Sequence, residues 1–219
     1  MNKGTWAEYA CQLEETGVNG LELNFYSPAL DPSTTAADVE KRELEIFAQV
    51  KDAVKIPVSV KLHPFYTSLM NVVANFEKAG ADGFVLFNRL FQPDIDVDRE
   101  VKEALMKLSE PNDGMMALRW AALLNERVKA DIISSSGVDS GKEVAKRILV
   151  GAKAVQVVSV LYKEKVSRIR EMQKELGAWM DAHKYANLAA FRGKLGRSKA
   201  SDAWSFERGQ YIKAIIGFD

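Results

Sequence analysis

The stretch Glu77-Lys78-Ala79-Gly80-Ala81-Asp82-Gly83-Phe84-Val85-Leu86-Phe87-Asn88 decides the fold. Its first half ends a helix: Gly80 stands where the chain must leave the right-handed spiral, in a left-handed conformation that only glycine adopts cheaply. Its second half is a short apolar strand closing on an asparagine. The same joint recurs at Glu14-Glu15-Thr16-Gly17-Val18-Asn19-Gly20 before Leu21-Glu22-Leu23-Asn24. It recurs again at Leu149-Val150-Gly151-Ala152-Lys153-Ala154 before Val155-Gln156-Val157-Val158-Ser159. A second joint alternates with it, where Val54-Lys55-Ile56-Pro57 enters Val58-Ser59-Val60-Lys61-Leu62 and Val128-Lys129-Ala130-Asp131 enters Ile132-Ile133-Ser134.

These joints predict five short strands separated by helices. Leu44, Phe47, Val50 and Val54 share one helical face, as do Leu69, Val72, Val73 and Phe76. Val166, Ile169, Met172, Leu176 and Met180 repeat the pattern after the last strand. Strands alternating with helices imply βαβ units and a parallel sheet. An open doubly wound sheet competes here with a closed (β/α)₈ TIM barrel. The strand ends favour the barrel, because Asn24, Lys61, Asn88, Ser134 to Ser136 and Ser159 are all polar and a barrel gathers such ends at one mouth.

The count is short of a full barrel, which has eight strands in about 250 residues. Residues 1–219 are read as one partial barrel domain of five βα units, with a helical tail from about residue 187. An open five-stranded sheet is expected to expose two strand edges and an apolar face. Either the start of the protein is therefore missing or something else covers this surface. Poor solubility and weak or no cofactor binding are expected of the chain as it stands.

The 30 basic and 30 acidic side chains cancel, which removes the basic excess that a nucleic-acid partner would call for. No apolar run is long enough to span a bilayer, and Lys3, Glu8, Glu14 and Glu15 interrupt anything like a signal peptide. One cysteine, Cys11, and two distant histidines, His63 and His183, provide neither a disulfide nor a metal site. A cytoplasmic protein acting on a small-molecule substrate is the expectation, with a homodimer left open.

Several residues carry candidate chemistry. Lys61 lies in a β-branched strand, where an ammonium needs a task or an acid partner such as Glu22. Asn24 and Asn88 each end a strand with a donor and an acceptor, suited to the edge of a heterocycle or a carboxylate. The run Ser134-Ser135-Ser136-Gly137-Val138-Asp139-Ser140-Gly141 opens a helix over 142–150 and reads either as an anion loop or as an ordinary loop with Asp139 or Ser140 as cap. Ser27, before Pro28, is a candidate base for which sequence shows no proton acceptor. Residues 89–98 read as a mouth loop whose acids face solvent or pair with Arg89, and His63 is read as structural.

Taken together, these residues resemble the dihydroorotate dehydrogenases, most closely the bacterial dihydroorotate dehydrogenase-like group. The resemblance is carried by Glu22-Leu23-Asn24-Phe25-Tyr26-Ser27-Pro28, Val58-Ser59-Val60-Lys61-Leu62-His63-Pro64 and Phe87-Asn88-Arg89 with Gln92-Pro93-Asp94-Ile95-Asp96. Leu118-Arg119-Trp120, Ser136-Gly137-Val138 with Gly141, and Phe206-Glu207-Arg208-Gly209-Gln210-Tyr211 complete it. It implies an FMN-dependent barrel that oxidises dihydroorotate to orotate in pyrimidine biosynthesis. By position it implies that Lys61 contacts the flavin, that Asn24 and Asn88 bind substrate, and that Ser27 is the catalytic base. It also implies that Ser136, Gly137, Val158 and Ser159 hold the FMN phosphate. The departures are Ala29 where the family has asparagine, and Ser136 and Val158 where it has glycine. They leave a non-catalytic or differently specific FMN- or phosphate-binding relative, or an inactive fragment, as the alternatives.

Overall fold

The computed structural model describes residues 3–26, 28–89, 93–103 and 107–199. After helix α1 (Lys3–Glu15), strands β1 (Leu21–Asn24), β2 (Val58–Leu62) and β3 (Gly83–Leu86) alternate with helices α2 (Ala36–Ala53) and α3 (Leu69–Lys78). A two-stranded hairpin follows, β4 (Asp94–Asp96) with β5 (Val101–Glu103). The chain returns through a 3₁₀ turn (Pro111–Gly114) to α4 (Met115–Leu124), β6 (Asp131–Ser134), α5 (Gly141–Leu149) and β7 (Ala154–Val155). Helices α6 (Ser159–Glu164) and α7 (Arg168–Ala182) come last, before a short 3₁₀ turn (Leu188–Ala190).

The sheet runs β1-β2-β3-β6-β7 and every pairing in it is parallel. Its order follows the chain, as the curling wall of a barrel does and as the reversed order of a doubly wound sheet does not. The three joint glycines behave as predicted, with φ of +84° at Gly17, +95° at Gly80 and +116° at Gly151.

Period two sorts the strand residues onto two faces. Leu23, Val60, Phe84 and Ile132 stand in one row of the register and all are buried under the helices. Beneath them pack Phe47 and Phe76, whose rings meet edge to face at 5.4 Å. The predicted stripe Leu69, Val72, Val73 and Phe76 is buried in full. On α7 the expected stripe is buried at Met172 and half-buried at Ile169, Leu176 and Met180, while Val166 lies exposed before the helix begins.

The opposite sheet face corrects one expectation. It is not an exposed apolar surface, because Glu22, Ser59, Lys61 and Gln156 stand on it and its apolar Val85 is buried. Lys61 is tolerated in an apolar strand because alternation turns it away from the helix-side core. No helix among the described residues is long and apolar enough to cross a membrane.

Candidate active site

The carboxyl ends of the five sheet strands frame a cleft of about 740 Å³. Backbone hydrogen bonds carry the ladder past the strands proper, from Asn88 N to Leu62 O (2.7 Å), Ser135 N to Leu86 O (2.7 Å) and Gln156 N to Ser134 O (2.9 Å). These bonds keep the endings side by side. Asn24, Lys61 and Asn88 line one part of the cleft. Ser136, Gly137, Val158 and Ser159 line another. Ser27 lies outside the described residues.

Lys61 has its acid partner, Glu22, and an amide partner, Gln156. Its ammonium stands 3.4 Å from Glu22 Oε1 and donates to Gln156 Oε1 at 3.0 Å, while Gln156 Nε2 donates to Glu22 Oε2 at 2.5 Å. The Lys61 side chain is only 18% exposed, so this pairing offsets much of the cost of taking its charge out of water. Asn88 Nδ2 donates to Asn24 Oδ1 and also approaches Phe25 O. That contact leaves the Asn24 amide as donor and the Asn88 carbonyl as acceptor for a third group.

Residue 109 joins the two anion-loop candidates. Its N–H donates to Ser159 Oγ at 2.9 Å, and its hydroxyl accepts from Gly137 N at 3.2 Å. With their lone pairs engaged in this way, the hydroxyls of Ser109 and Ser159 are free to donate into the cleft. Among the described residues the amides of Ser136, Val158 and Ser159 have no hydrogen-bond partner. Ser136 holds φ of +68° and Gly137 +63°. The serine adopts a glycine conformation at a cost of roughly 1 kcal/mol.

Several expectations need correction. The start of α5 is no anion site: Gly141 N donates to Glu175 Oε2 at 2.6 Å, so a carboxylate of the protein already occupies it. Ser140 caps the helix, accepting from Glu143 N. The fifth strand, expected over 155–159, pairs only at Ala154–Val155, because it is the last of its sheet and has a neighbour on one side alone. Ser159 instead opens α6. The expected mouth loop over 89–98 contributes β4 to the hairpin, and Arg89 pairs with Asp113 at 3.4 Å rather than with the acids beside it. Of those acids, Asp94 pairs with Lys107 at 2.8 Å and Asp96 with Arg99. His63 lies off the cleft in a second cavity of about 490 Å³, stacked on Tyr66 at 3.8 Å, with burial lowering its pKa.

The Glu175 contact gives a pH dependence. The Gly141 N–H holds this carboxyl below its ordinary 4.5, burial opposes, and Arg168 adds to the lowering. A carboxyl lowered by folding stabilises the protein above its unfolded value and loses that contribution as pH falls through the folded one. The α5–α7 contact is therefore expected to weaken below about pH 4.5. Glu175 is 39% exposed, so after solvent screening the effect is under about 1 kcal/mol. Urea midpoints compared between pH 7 and pH 3.5 should fall less in Glu175→Gln than in the parent; equal falls would assign the acid sensitivity elsewhere.

A family model described as dihydroorotate dehydrogenase matches residues 1–180. The chain belongs to the dihydroorotate dehydrogenase family. It is 26% identical over 196 residues to the catalytic subunit of the NAD(+)-type dihydroorotate dehydrogenase B of Thermoplasma volcanium, covering 88% of this chain and 64% of that one. To the corresponding subunit of a Geobacillus species it is 32% identical over 145 residues, 64% of this chain and 46% of that one. To the fumarate-type dihydroorotate dehydrogenase A of Lactobacillus helveticus it is 28% identical over 181 residues, 78% and 58% of the two chains. The chain thus spans from about half to just under two thirds of the length of these dihydroorotate dehydrogenases.

Sequence reasoning missed two residues of this dihydroorotate dehydrogenase-family cleft. Gln156 had a signal, since it falls on the same strand face as Lys61 once the last strand is read with period two. Ser109 had none, being delivered by the long excursion between β3 and α4.

Proposed function

We propose that this chain carries the strand-end site of an FMN-dependent dihydroorotate dehydrogenase, oxidising dihydroorotate to orotate. The observation that supports it best is the grouping of the Lys61 ammonium, two facing strand-end amides and, among the described residues, three unpaired backbone N–H groups around one cleft. The donor set fits the group. The amides of Ser136, Val158 and Ser159, with the hydroxyls of Ser109 and Ser159, would hold a phosphate, and Lys61 would stand by the flavin ring. Bound FMN supplies a hydride acceptor. The Asn24 donor and the Asn88 acceptor suit the amide edge and carboxylate of a dihydropyrimidine. Ser27 would take the proton that leaves the substrate carbon while its own hydroxyl proton passes to solvent. Relatives of both the NAD(+) and the fumarate type match, so the electron acceptor is not part of the proposal.

The test is to titrate FMN into the purified protein and follow quenching of its fluorescence, then add dihydroorotate without oxygen. Bleaching of the visible absorbance of the oxidised flavin supports the reading. Loss of a general base typically costs about 10²–10⁴ in rate, so Ser27→Ala should bind FMN normally and bleach that much more slowly. Absence of FMN affinity would sink the cofactor assignment. FMN binding without bleaching would leave a binding relative, as Ala29 and Val158 suggest by departing from the family pattern.

A further inference from the structure

We infer that Gln156, together with Glu22, is a positioning residue that aims the Lys61 ammonium into the cleft. The three side chains come from β1, β2 and the end of β7, so the network reaches across the curl of the sheet between its first and last strands. Each polar atom has a role fixed by its partner. Gln156 must turn Oε1 to the cation and Nε2 to the carboxylate, since the opposite orientation would set N–H against ammonium and oxygen against oxygen. Lys61 donates one hydrogen bond, to Gln156 at 3.0 Å, and stands in ion-pair contact with Glu22 at 3.4 Å. Its remaining donor capacity is left for a group in the cleft that Lys61 lines.

The choice of an amide at 156 matters for charge. Glu22 neutralises Lys61 once, which a poorly solvated ammonium needs. A second carboxylate would make the trio net negative and repel an electron-rich or anionic ligand. An apolar residue would leave the lysine swinging on Glu22 alone. Gln156 fixes the direction of the ammonium without cancelling its field.

The purpose of this device rests on the proposed flavin chemistry, but its geometry does not, and the test separates the two. The protein and its Gln156→Leu, Gln156→Glu and Glu22→Gln/Gln156→Glu forms are acetylated briefly at fixed pH with a sulfosuccinimidyl acetate. Modification of Lys61 is read by mass spectrometry against Lys41, which is 77% exposed and serves as internal reference. Loss of a charge-assisted hydrogen bond should raise Lys61 acetylation about tenfold in Gln156→Leu. Gln156→Glu should keep Lys61 protected, and so should the double exchange, which retains one carboxylate and one amide. FMN titration gives the second arm: affinity falls about tenfold in both single variants and returns in the double exchange.

A merely space-filling Gln156 would show no loss of affinity in Gln156→Glu, which keeps its volume, and so nothing for the exchange to recover. Unchanged acetylation in Gln156→Leu, or an exchange that fails to recover FMN affinity, would overturn the inference. If the parent protein binds no FMN, the cofactor proposal fails and the acetylation pattern still decides the network.

Discussion

Replacing Gly137 by alanine is expected to cost about 3 kcal/mol of stability and to remove the anion binding proposed for the cleft. An added Cβ would fall 2.6 Å from Glu110 O, 2.7 Å from Pro111 O and 2.8 Å from Gly114 N. All three are backbone atoms, so no side chain can rotate away to relieve the clash. The φ of +63° adds a conformational penalty that alanine cannot avoid. Relief requires the 110–114 turn to move away from the loop at Ser136, and that movement breaks the bond from Gly137 N to Ser109 Oγ. Ser109 would then no longer hold Ser159 in register. Urea denaturation should show the loss directly, and phosphate, expected to raise the melting temperature of the parent if the proposed site binds it, should no longer do so. A Gly137→Ala protein within about 0.5 kcal/mol of the parent would mean that the turn is free to shift and that the loop is not built as described.

The same loop shows what the sequence disclosed and what it withheld. Its residues were legible as a group, because small side chains and glycine between a strand and a helix have few uses. Its division was not. Whether an amide at a helix start faces a ligand or another part of the protein depends on what packs there, and Glu175, 34 residues after Gly141, packs there. The barrel wall was legible from local punctuation, since Gly17, Gly80 and Gly151 mark the helix ends and β-branched runs mark the strands. Gln156 was hidden for the opposite reason. Its partner Glu22 lies 134 residues away, and only the curl of the sheet brings them together. Asp94-Ile95-Asp96-Val97 does alternate as a strand should, but Pro93 and the acids made it read as a loop.

Truncating Arg147 to alanine should destabilise the protein by about 4 kcal/mol, whereas Arg147→Met should stay within about 1 kcal/mol of the parent. Arg147 heads the large side chains that are fully buried, and it projects from α5. Among the described residues its guanidinium nitrogens make no hydrogen bond, and Glu143 stands 3.2 Å away as its ion-pair partner. Burial pulls its pKa below the ordinary arginine range while Glu143 pulls it up. Charge is therefore an expense at this position and volume is the service. The guanidinium fills the space against Gly114, whose missing Cβ would meet both Arg147 Nη2 and Ser136 O. Alanine would open a cavity directly behind the turn that braces Gly137. Methionine would keep that space filled, relieve the desolvation of the cation, and leave Glu143 paired with Lys146. If the two variants lose equal stability, the charge rather than the volume supports the wall of the cleft. If methionine restores both stability and phosphate binding, the apolar packing of α5 against the 111–114 turn is what holds the cleft open.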